Sequence, residues 1–230
     1  NFSSNISILN TLQFGDSFFP SGTIAFSYGL ETLVDKGVIN SRESLEQFIR
    51  SQLLGRWIGF DRPCLVGSYK ACQNEDYISR LIEIDYIVNS ATLPYELRQG
   101  SIRAGAALLG VHYKLGTQRV SAYRKELRSG KAIGHLPIVQ GICLFGSGLS
   151  RENTELVSAH GLVVGLVSSG IRLGVIGHID GQRLVSTMHN DIANMLSEDA
   201  VKPEESWSFA PVSDIAVMQH EIHKNRLFSN

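Results

Sequence analysis

Hydrophobic residues recur along most of this chain three or four positions apart, which is the spacing of helices with one buried face. The clearest stripe follows Asn40 and consists of Leu45, Phe48, Ile49, Leu53 and Trp57. Asn40 and Glu43 have the spacing of a capping box, in which a polar side chain and a second one three residues later satisfy the first backbone N–H groups. We therefore predict a helix that begins after Asn40.

The same pattern predicts helices through the rest of the chain. After a short N-terminal helix they cover residues 24–36, 63–72, 77–87, 94–115, 137–149, 155–177, 179–196 and 214–223. No stretch of convincing length alternates between polar and apolar residues at strand spacing. The expected fold is all-α, a single helical domain of about ten helices around a buried central helix.

The central helix is predicted at residues 155–177, which are among the most apolar of the chain. Small residues at a spacing of four let two helices approach closely. They occur here as Gly161 with Gly165 and Gly170 with Gly174. The apolar run is shorter than the about 20 residues that span a membrane, and Arg172 interrupts it. A buried strand over 162–167 is the alternative, but the length of the run and the lack of flanking turn residues favour a helix.

The composition is that of a packed globular protein, with 43% hydrophobic and 19% charged residues among 230. Lys and Arg number 21 and Asp and Glu 22, so no overall charge attracts nucleic acid or an anionic membrane. The most basic run, 117–131, is either a solvated helix face or a docking patch for an acidic partner. Residues 198–213 are acidic and contain two prolines, which predicts a mobile connector. We expect a helical core domain over 1–197, followed over 198–230 by this acidic connector, a short helix and a mobile C-terminal tail.

No motif for nucleotide binding or catalysis is complete. The Gly-Lys pair at 130–131 is not followed by the Ser or Thr of a phosphate-binding loop. The stretch Ala-Phe-Ser-Tyr-Gly at 25–29 approximates the nucleophile elbow of serine hydrolases, but a Pro/Gly corner precedes it where the elbow requires a strand. An α-helical hydrolase using Ser27 is therefore the alternative interpretation, and the absence of a catalytic set favours a binding protein.

Cysteines and histidines do not form a complete metal site in the sequence. Three cysteines without CxxC spacing fit reduced thiols in the cytoplasm. His220, Glu221 and His223 cluster near the C-terminus and could hold nickel or zinc, although a polar surface is the favoured interpretation. The histidines at 112, 135, 160, 178 and 189 are expected to be hydrogen-bonded structural residues. We expect the chain itself to bind no metal and no cofactor.

Residues 14–31 form an unusual corner between two helices. Gly15, Pro20 and Gly22 interrupt the helical pattern, while Phe18 and Phe19 lie inside the turn. Two aromatic side chains in a turn need to be buried, so we expect a corner that is packed on the core. Because function concentrates on loops held by a rigid scaffold, the corner is also a candidate binding surface.

Four stretches, in order along nearly the whole chain, resemble those of the urease accessory protein UreF family. They are D-S-x-x-P-x-G with S-Y-G-L-E in the first corner, Glu96-Leu-Arg98 with Arg103-Ala-Gly-Ala-Ala107, Gly134-His-Leu-Pro137, and His220-Glu221 with Arg226-Leu-Phe-Ser229. The chain departs from the commonest form of the family at Ser21-Gly22-Thr23, where Gly-Gly is usual, and at Phe26, where a polar residue or His is usual.

The resemblance implies an all-α, non-enzymatic homodimer that bridges UreD (also called UreH) and the GTPase UreG, so that nickel is delivered to the urease apoprotein. It also implies that the C-terminal segment becomes ordered when UreD binds, and that Tyr28 and Arg226 lie together and support the surface used by UreG. A tyrosine hydroxyl that accepts from a guanidinium would fasten the tail to the core. The expected partner-binding residues are Tyr28, Glu31, Arg98, His220, Glu221, Arg226, Leu227 and Phe228.

Overall fold

The computed structural model describes residues 2–20 and 27–220, with the backbone alone for 2–4 and 220. Within these ranges the chain forms eleven α-helices, one π-helix and one short 3-10 helix, without a strand. The α-helices are α1 (Phe2–Gly15), α2 (Leu30–Asp35), α3 (Arg42–Gln52), α4 (Arg62–Ala71), α5 (Tyr77–Ala91), α6 (Tyr95–Lys114), α7 (Val120–Arg128), α8 (Leu136–Gly146), α9 (Arg151–Arg172), α10 (His178–Met195) and α11 (Pro211–His220). The π-helix is Leu53–Asp61 and the 3-10 helix is Pro203–Glu205. The predicted all-α fold is confirmed.

The helix α9 is the centre of the fold, as predicted. It contacts α1, α2, α3, α4, α8 and α10. In the described part of the chain it is the single helix long and apolar enough to cross a membrane, yet 61% of its apolar window is buried inside the protein. Its neighbours therefore occupy the surface that lipid would cover, which identifies it as the core helix of a packed domain.

The hydrophobic core consists mainly of two clusters that the π-helix connects. Residues of α4, α5, α6 and α8 form the first cluster, which includes Phe60 of the π-helix and Ile142. Residues of α2, α3, α9 and α10 form the second, which includes Trp57 of the π-helix and Leu166. Because a π-helix has a wider turn than an α-helix, it redirects side chains relative to the α-helices that flank it. Phe60 and Trp57, three residues apart, thus enter different clusters.

The helix α3 begins one residue later than predicted. Ser41 is its N-cap: the Ser41 hydroxyl accepts from the backbone N–H of Ser44 at 3.2 Å, and the Ser44 hydroxyl accepts from the backbone N–H of Ser41 at 3.1 Å. Asn40 instead donates from its amide to the carbonyl of Gly37. The capping box assigned to Asn40 and Glu43 is wrong because a pair of serine hydroxyls one position later has the same spacing and closes the same ring.

Residues 198–210, which we call the strap, contact α4 and α5 through the 3-10 helix and the π-helix through Trp207 and Phe209. The backbone N–H groups of Trp207 and Phe209 donate to the carbonyls of Gly59 and Gly55 at 2.8 and 2.6 Å. A Cβ atom at Gly59 would lie 2.6 Å from the Trp207 ring, so the two segments are in direct contact. The predicted mobile connector is therefore replaced by a hydrogen-bonded strap, since backbone contacts hold a segment whose composition is polar. The mobile tail and the division at residue 197 stay predictions.

The glycines of α9 do not all serve the helix contacts that we predicted for them. A Cβ atom at Gly170 would lie 2.5 Å from a methyl group of Leu45, so this glycine does admit α3. At Gly161 the same atom would have no neighbour within 4 Å, and Gly174 lies beyond the end of α9. Spacing alone therefore could not show which small residues face a neighbouring helix.

The corner after α1 buries one of its two aromatic residues. The Phe19 ring packs edge-on against Phe14, with ring centres 5.1 Å apart, and Phe19 is buried. Phe18 is 93% exposed, so the prediction that both rings are buried is wrong for Phe18. Adjacent residues point in different directions in a turn, and here only one direction leads to the core.

Candidate functional site

The described part of the first corner ends in a left-handed turn between Ser27 and α2. Tyr28 and Gly29 have φ values of 51° and 83°, and the N–H of Leu30 donates to the carbonyl of Ser27 at 2.9 Å. A left-handed conformation is uncommon for a residue other than glycine and is strained, and such residues cluster at functional positions. We call residues 27–30 the Tyr28 turn.

The C-terminal helix α11 is packed directly on the Tyr28 turn. The Ser213 hydroxyl donates to the carbonyl of Tyr28 at 2.6 Å. A Cβ atom at Gly29 would lie 2.8 Å from Cβ of Ala216 and 3.0 Å from the carbonyl oxygen of Ser213, so only glycine allows this approach. Ala216 and Val217 are buried in the contact. Chain segments about 185 positions apart therefore form one surface.

The helix α6 forms the rest of the surface on which α11 packs. Val217 packs with Leu97 and Ala104 of α6, and the Tyr28 ring packs against this small cluster. At the far end of the contact, the ammonium group of Lys36 donates to the side-chain carbonyl of Gln219. The helix is thus held at its start, its middle and its end, by a hydrogen bond, by apolar packing and by a second hydrogen bond.

A small polar cavity lies beneath the turn. It measures about 80 Å³, and its polar lining residues include Tyr28, Arg56, Asp61, Ser101, Gln140 and Ser158. Nε of Arg56 lies 3.2 Å from a carboxylate oxygen of Asp61, and both side chains are largely buried. These residues are five apart, a spacing that a π-helix turn brings to one side and an α-helix turn does not. The cavity has room for a few water molecules but not for a substrate of ordinary size.

Burial and the charge of Arg56 have opposite effects on the acidic groups around the cavity. Burial, together with the carboxylate of Asp61, raises the pKa of the Tyr28 hydroxyl, which therefore stays a hydrogen-bond donor at neutral pH. Burial also raises the pKa of Asp61, and the adjacent Arg56 opposes this effect. The pKa of Asp214 on α11 is raised by burial and lowered by Arg56. Arg56 thus stabilises carboxylates on both the π-helix and α11.

The structure brings together part of the predicted partner-binding set. Tyr28 and Glu31 lie at the start of α2, and Glu31 is buried. Arg98 lies in α6, where it donates to the carbonyl of Thr92 at 2.8 Å. Both helices contact α11.

The rest of the predicted set lies at or beyond the end of α11. His220 is the last residue of α11, and its side chain is outside the described residues. Glu221, Arg226, Leu227 and Phe228 are also outside them, and so are the predicted contact of Tyr28 with Arg226 and the cluster of His220 with His223.

An apolar surface on α11 and the strap was not predicted. Val212, Ile215 and Met218 are exposed at three-residue intervals on α11, away from the contact with the Tyr28 turn. Trp207 and Phe209 of the strap are also exposed in part. The three-residue spacing in α11 was readable from the sequence. Which face is buried depends on the distant Tyr28 turn, and the sequence pattern does not show this.

Ser27 and two of the histidines considered for chemistry lie in structural positions. Ser27 is completely buried, and the residues just before it lie outside the described part of the chain. His112 and His135 lie within hydrogen-bonding distance of Thr117 and Asn89, as predicted for structural histidines. In residues 2–20 and 27–220, no group of three His, Cys, Asp or Glu side chains is placed to hold a metal ion.

Residues of the basic run pack against aromatic rings on a different part of the surface. The guanidinium carbon of Arg124 lies 3.9 Å from the centre of the Tyr113 ring. That of Arg119 lies 4.7 Å from the centre of the Tyr77 ring. Such cation–π contacts stabilise the fold locally. These contacts give two arginines of the basic run a role inside the fold that needs no partner protein. A docking role for the run stays a prediction.

Comparison with known proteins agrees with this architecture. A sequence model of the UreF family matches residues 39–189. The chain belongs to the UreF family. Its relatives include the urease accessory protein UreF of Trichodesmium erythraeum, which is 33% identical over 96% of each chain. UreF of Haemophilus influenzae strain PittGG is 30% identical over 94% of this chain and 93% of its own. The predicted resemblance to UreF is confirmed.

Residues matched to UreF include the π-helix and α9 but not the Tyr28 turn or α11. The matches to whole UreF relatives cover nearly the full length of both chains. UreF relatives are named accessory proteins of urease, and the name describes assistance to another enzyme. This agrees with a site that consists of a packed helix and an exposed apolar face.

Proposed function

We propose that this UreF-family chain is a non-enzymatic scaffold of urease maturation, which bridges UreD (UreH) and the GTPase UreG for the delivery of nickel to apo-urease. The observation that carries the proposal is the attachment of α11 to the Tyr28 turn. A rigidly held helix with an apolar outer face is suited to contact another protein, because little order is lost when the partner binds.

The exposed face of α11 is the proposed docking surface for UreD. Val212, Ile215 and Met218 form it, and Phe209 of the strap extends it. Exposed apolar side chains grouped in this way mark interaction surfaces more often than isolated ones do. Residues 221–230 follow α11 in the sequence, and we propose that Glu221, Leu227 and Phe228 take part in the same contact with UreD.

The Tyr28 turn is the proposed support of the surface that UreG uses. Glu31 and Arg98 lie on the two helices that hold α11, so a change at either position would be transmitted to it. The proposed contact of Tyr28 with Arg226 would add a second attachment of the C-terminal segment to the same turn. Homodimer formation and a cytoplasmic location belong to the same proposal.

The alternative of a serine hydrolase finds no support in the geometry of Ser27. A nucleophilic serine is exposed at the end of a strand in hydrolases. Here its side chain is completely buried, and the described part of the chain has no strand. The experiment that checks this is labelling of the purified chain with a serine-directed phosphonate. Modification of Ser27 would support the serine hydrolase over the scaffold.

The test of the proposal is a co-purification of the chain with UreD and UreG. We expect the unchanged chain to form a stable complex with both proteins, and Ile215→Asp to weaken it strongly, since a charge would enter an apolar interface. Ile179→Asp is the matched control, because Ile179 is also an exposed isoleucine and lies at the start of α10. No complex with the unchanged chain, or equal effects of the two variants, would contradict the proposal.

A further inference from the structure

Two histidines of neighbouring helices lie together outside the cavity beneath the Tyr28 turn. His160 of α9 and His189 of α10 have ring centres 6.1 Å apart. His160 is partly buried and His189 is exposed. Within the part of the chain that the structure describes, neither ring has a hydrogen-bond partner. The structural role expected for both histidines from the sequence is therefore not seen.

The separation of the two rings is close to that of imidazoles bound to one metal ion. A histidine nitrogen lies about 2.1 Å from zinc and the ring centre roughly 1.2 Å farther, so at the tetrahedral angle two imidazoles on one ion have centres about 5.4 Å apart. The observed 6.1 Å is about 0.7 Å wider, a difference that rotation of the two side chains can close. We propose that His160 and His189 together bind a divalent transition-metal ion such as Ni²⁺ or Zn²⁺. Imidazole is a good ligand for these ions, and water would complete the coordination.

The backbone around the two histidines is held rigidly. Ala159 and Met188, the residues next to them in sequence, are completely buried in the core. The helices also approach closely, since a Cβ atom at Gly181 would lie 2.9 Å from Ile171. Only the side chains have to turn for both rings to face one ion, so little conformational entropy is lost.

The surroundings of the pair suit a bound cation. His160 and His189 line a cavity of about 490 Å³ between the end of α1, α9 and α10, and the carboxylate of Asp16 lines the same cavity. One oxygen of Asp16 accepts from the N–H of Phe18 at 2.8 Å, and the carboxylate adds negative charge to the cavity wall without being placed as a third ligand.

The experiment is a calorimetric titration of the full chain with NiCl₂ and, separately, with ZnCl₂. It is carried out on a His220→Ala/His223→Ala background, which removes the histidine pair near the C-terminus. We expect one ion per chain. His189→Ala and His160→Gln should each lower the affinity at least about tenfold, since even the loss of a group that only orients a ligand costs about 10- to 100-fold.

The matched control is His178→Ala, because His178 is an exposed histidine of α10 at the opposite end of the helix. It should leave the affinity unchanged. No uptake of either ion by the background chain, unchanged affinity in either test variant, or an equal loss in the control would overturn the proposal. Circular dichroism melting of each variant separates loss of the site from loss of the fold. UreD and UreG are absent from the titration, so its result is independent of the proposed scaffold function.

Discussion

Replacing Gly29 by alanine tests whether the direct contact with the Tyr28 turn holds α11 in place. The added methyl group would lie 2.8 Å from Cβ of Ala216 and 3.0 Å from the carbonyl oxygen of Ser213. Both distances are shorter than ordinary contacts of carbon atoms. Either the turn changes its backbone conformation or α11 moves away from it.

The expected loss of stability has two parts. The left-handed backbone at Gly29, with φ of 83°, costs a non-glycine residue about 1–2 kcal/mol. Displacement of α11 exposes Val217, which is completely buried and contributes about 1.5–3 kcal/mol. The free energy of unfolding of Gly29→Ala should therefore fall by about 2.5–5 kcal/mol if α11 detaches from the Tyr28 turn.

The matched control is Gly37→Ala. Gly37 is also left-handed, with φ of 69°, but a Cβ atom there would have no neighbour within 4 Å. Its loss should be limited to the backbone term of about 1–2 kcal/mol. Urea denaturation gives the two free energies, and amide hydrogen exchange reports on residues 211–219. We expect faster exchange there in Gly29→Ala alone, with α9 unchanged. If Gly29→Ala and Gly37→Ala lost equal stability and exchange in residues 211–219 were unchanged, the contact of Gly29 with α11 would not be what holds the helix in place.

Two further predictions concern the core. Gly105→Ala should destabilise the fold strongly, because its Cβ would lie 2.0 Å from the carbonyl oxygen of Gly134. Gly110→Ala on the same helix has no neighbour within 4 Å and should stabilise the fold by about 0.5–1 kcal/mol. Thermal melting of both variants checks this pair of outcomes. Burial lowers the pKa of His112 from 6.5 to about 4, so the folded state prefers the neutral ring. The associated stability is present above pH 6.5 and is lost as the pH falls toward 4, by up to about 3 kcal/mol. Urea denaturation across this range should show a smaller decline in His112→Gln, and an unchanged decline would contradict the assignment.

Much of the fold could be predicted because helical spacing is a local signal. The stripe from Leu45 to Trp57 and the apolar run of α9 lie in the predicted helices. The change from α3 to a π-helix was not predictable in this way. Gly55 and Gly59 of the π-helix contact the strap, and these contacts join residues about 150 positions apart, which a local pattern does not contain.

The candidate site could be predicted only in part, because it also depends on long-range contacts. The sequence motif indicated Tyr28, but the position of α11 depends on the packing of Gly29 with Ala216 and of Val217 with Leu97. The proximity of His160 and His189 likewise follows from the packing of two helices and not from any spacing in the chain. Long-range contacts of this kind leave no periodic pattern in a single sequence.

We propose that α11 on the Tyr28 turn, together with the strap, presents a preassembled docking surface. Hydrogen–deuterium exchange of the full chain, alone and after addition of UreD and UreG, measures this. We expect α11 to be protected already in the free chain and protection to increase at residues 207–219 in the complex. A complex in which these residues exchange as in the free chain, with protection confined to other helices, would contradict it.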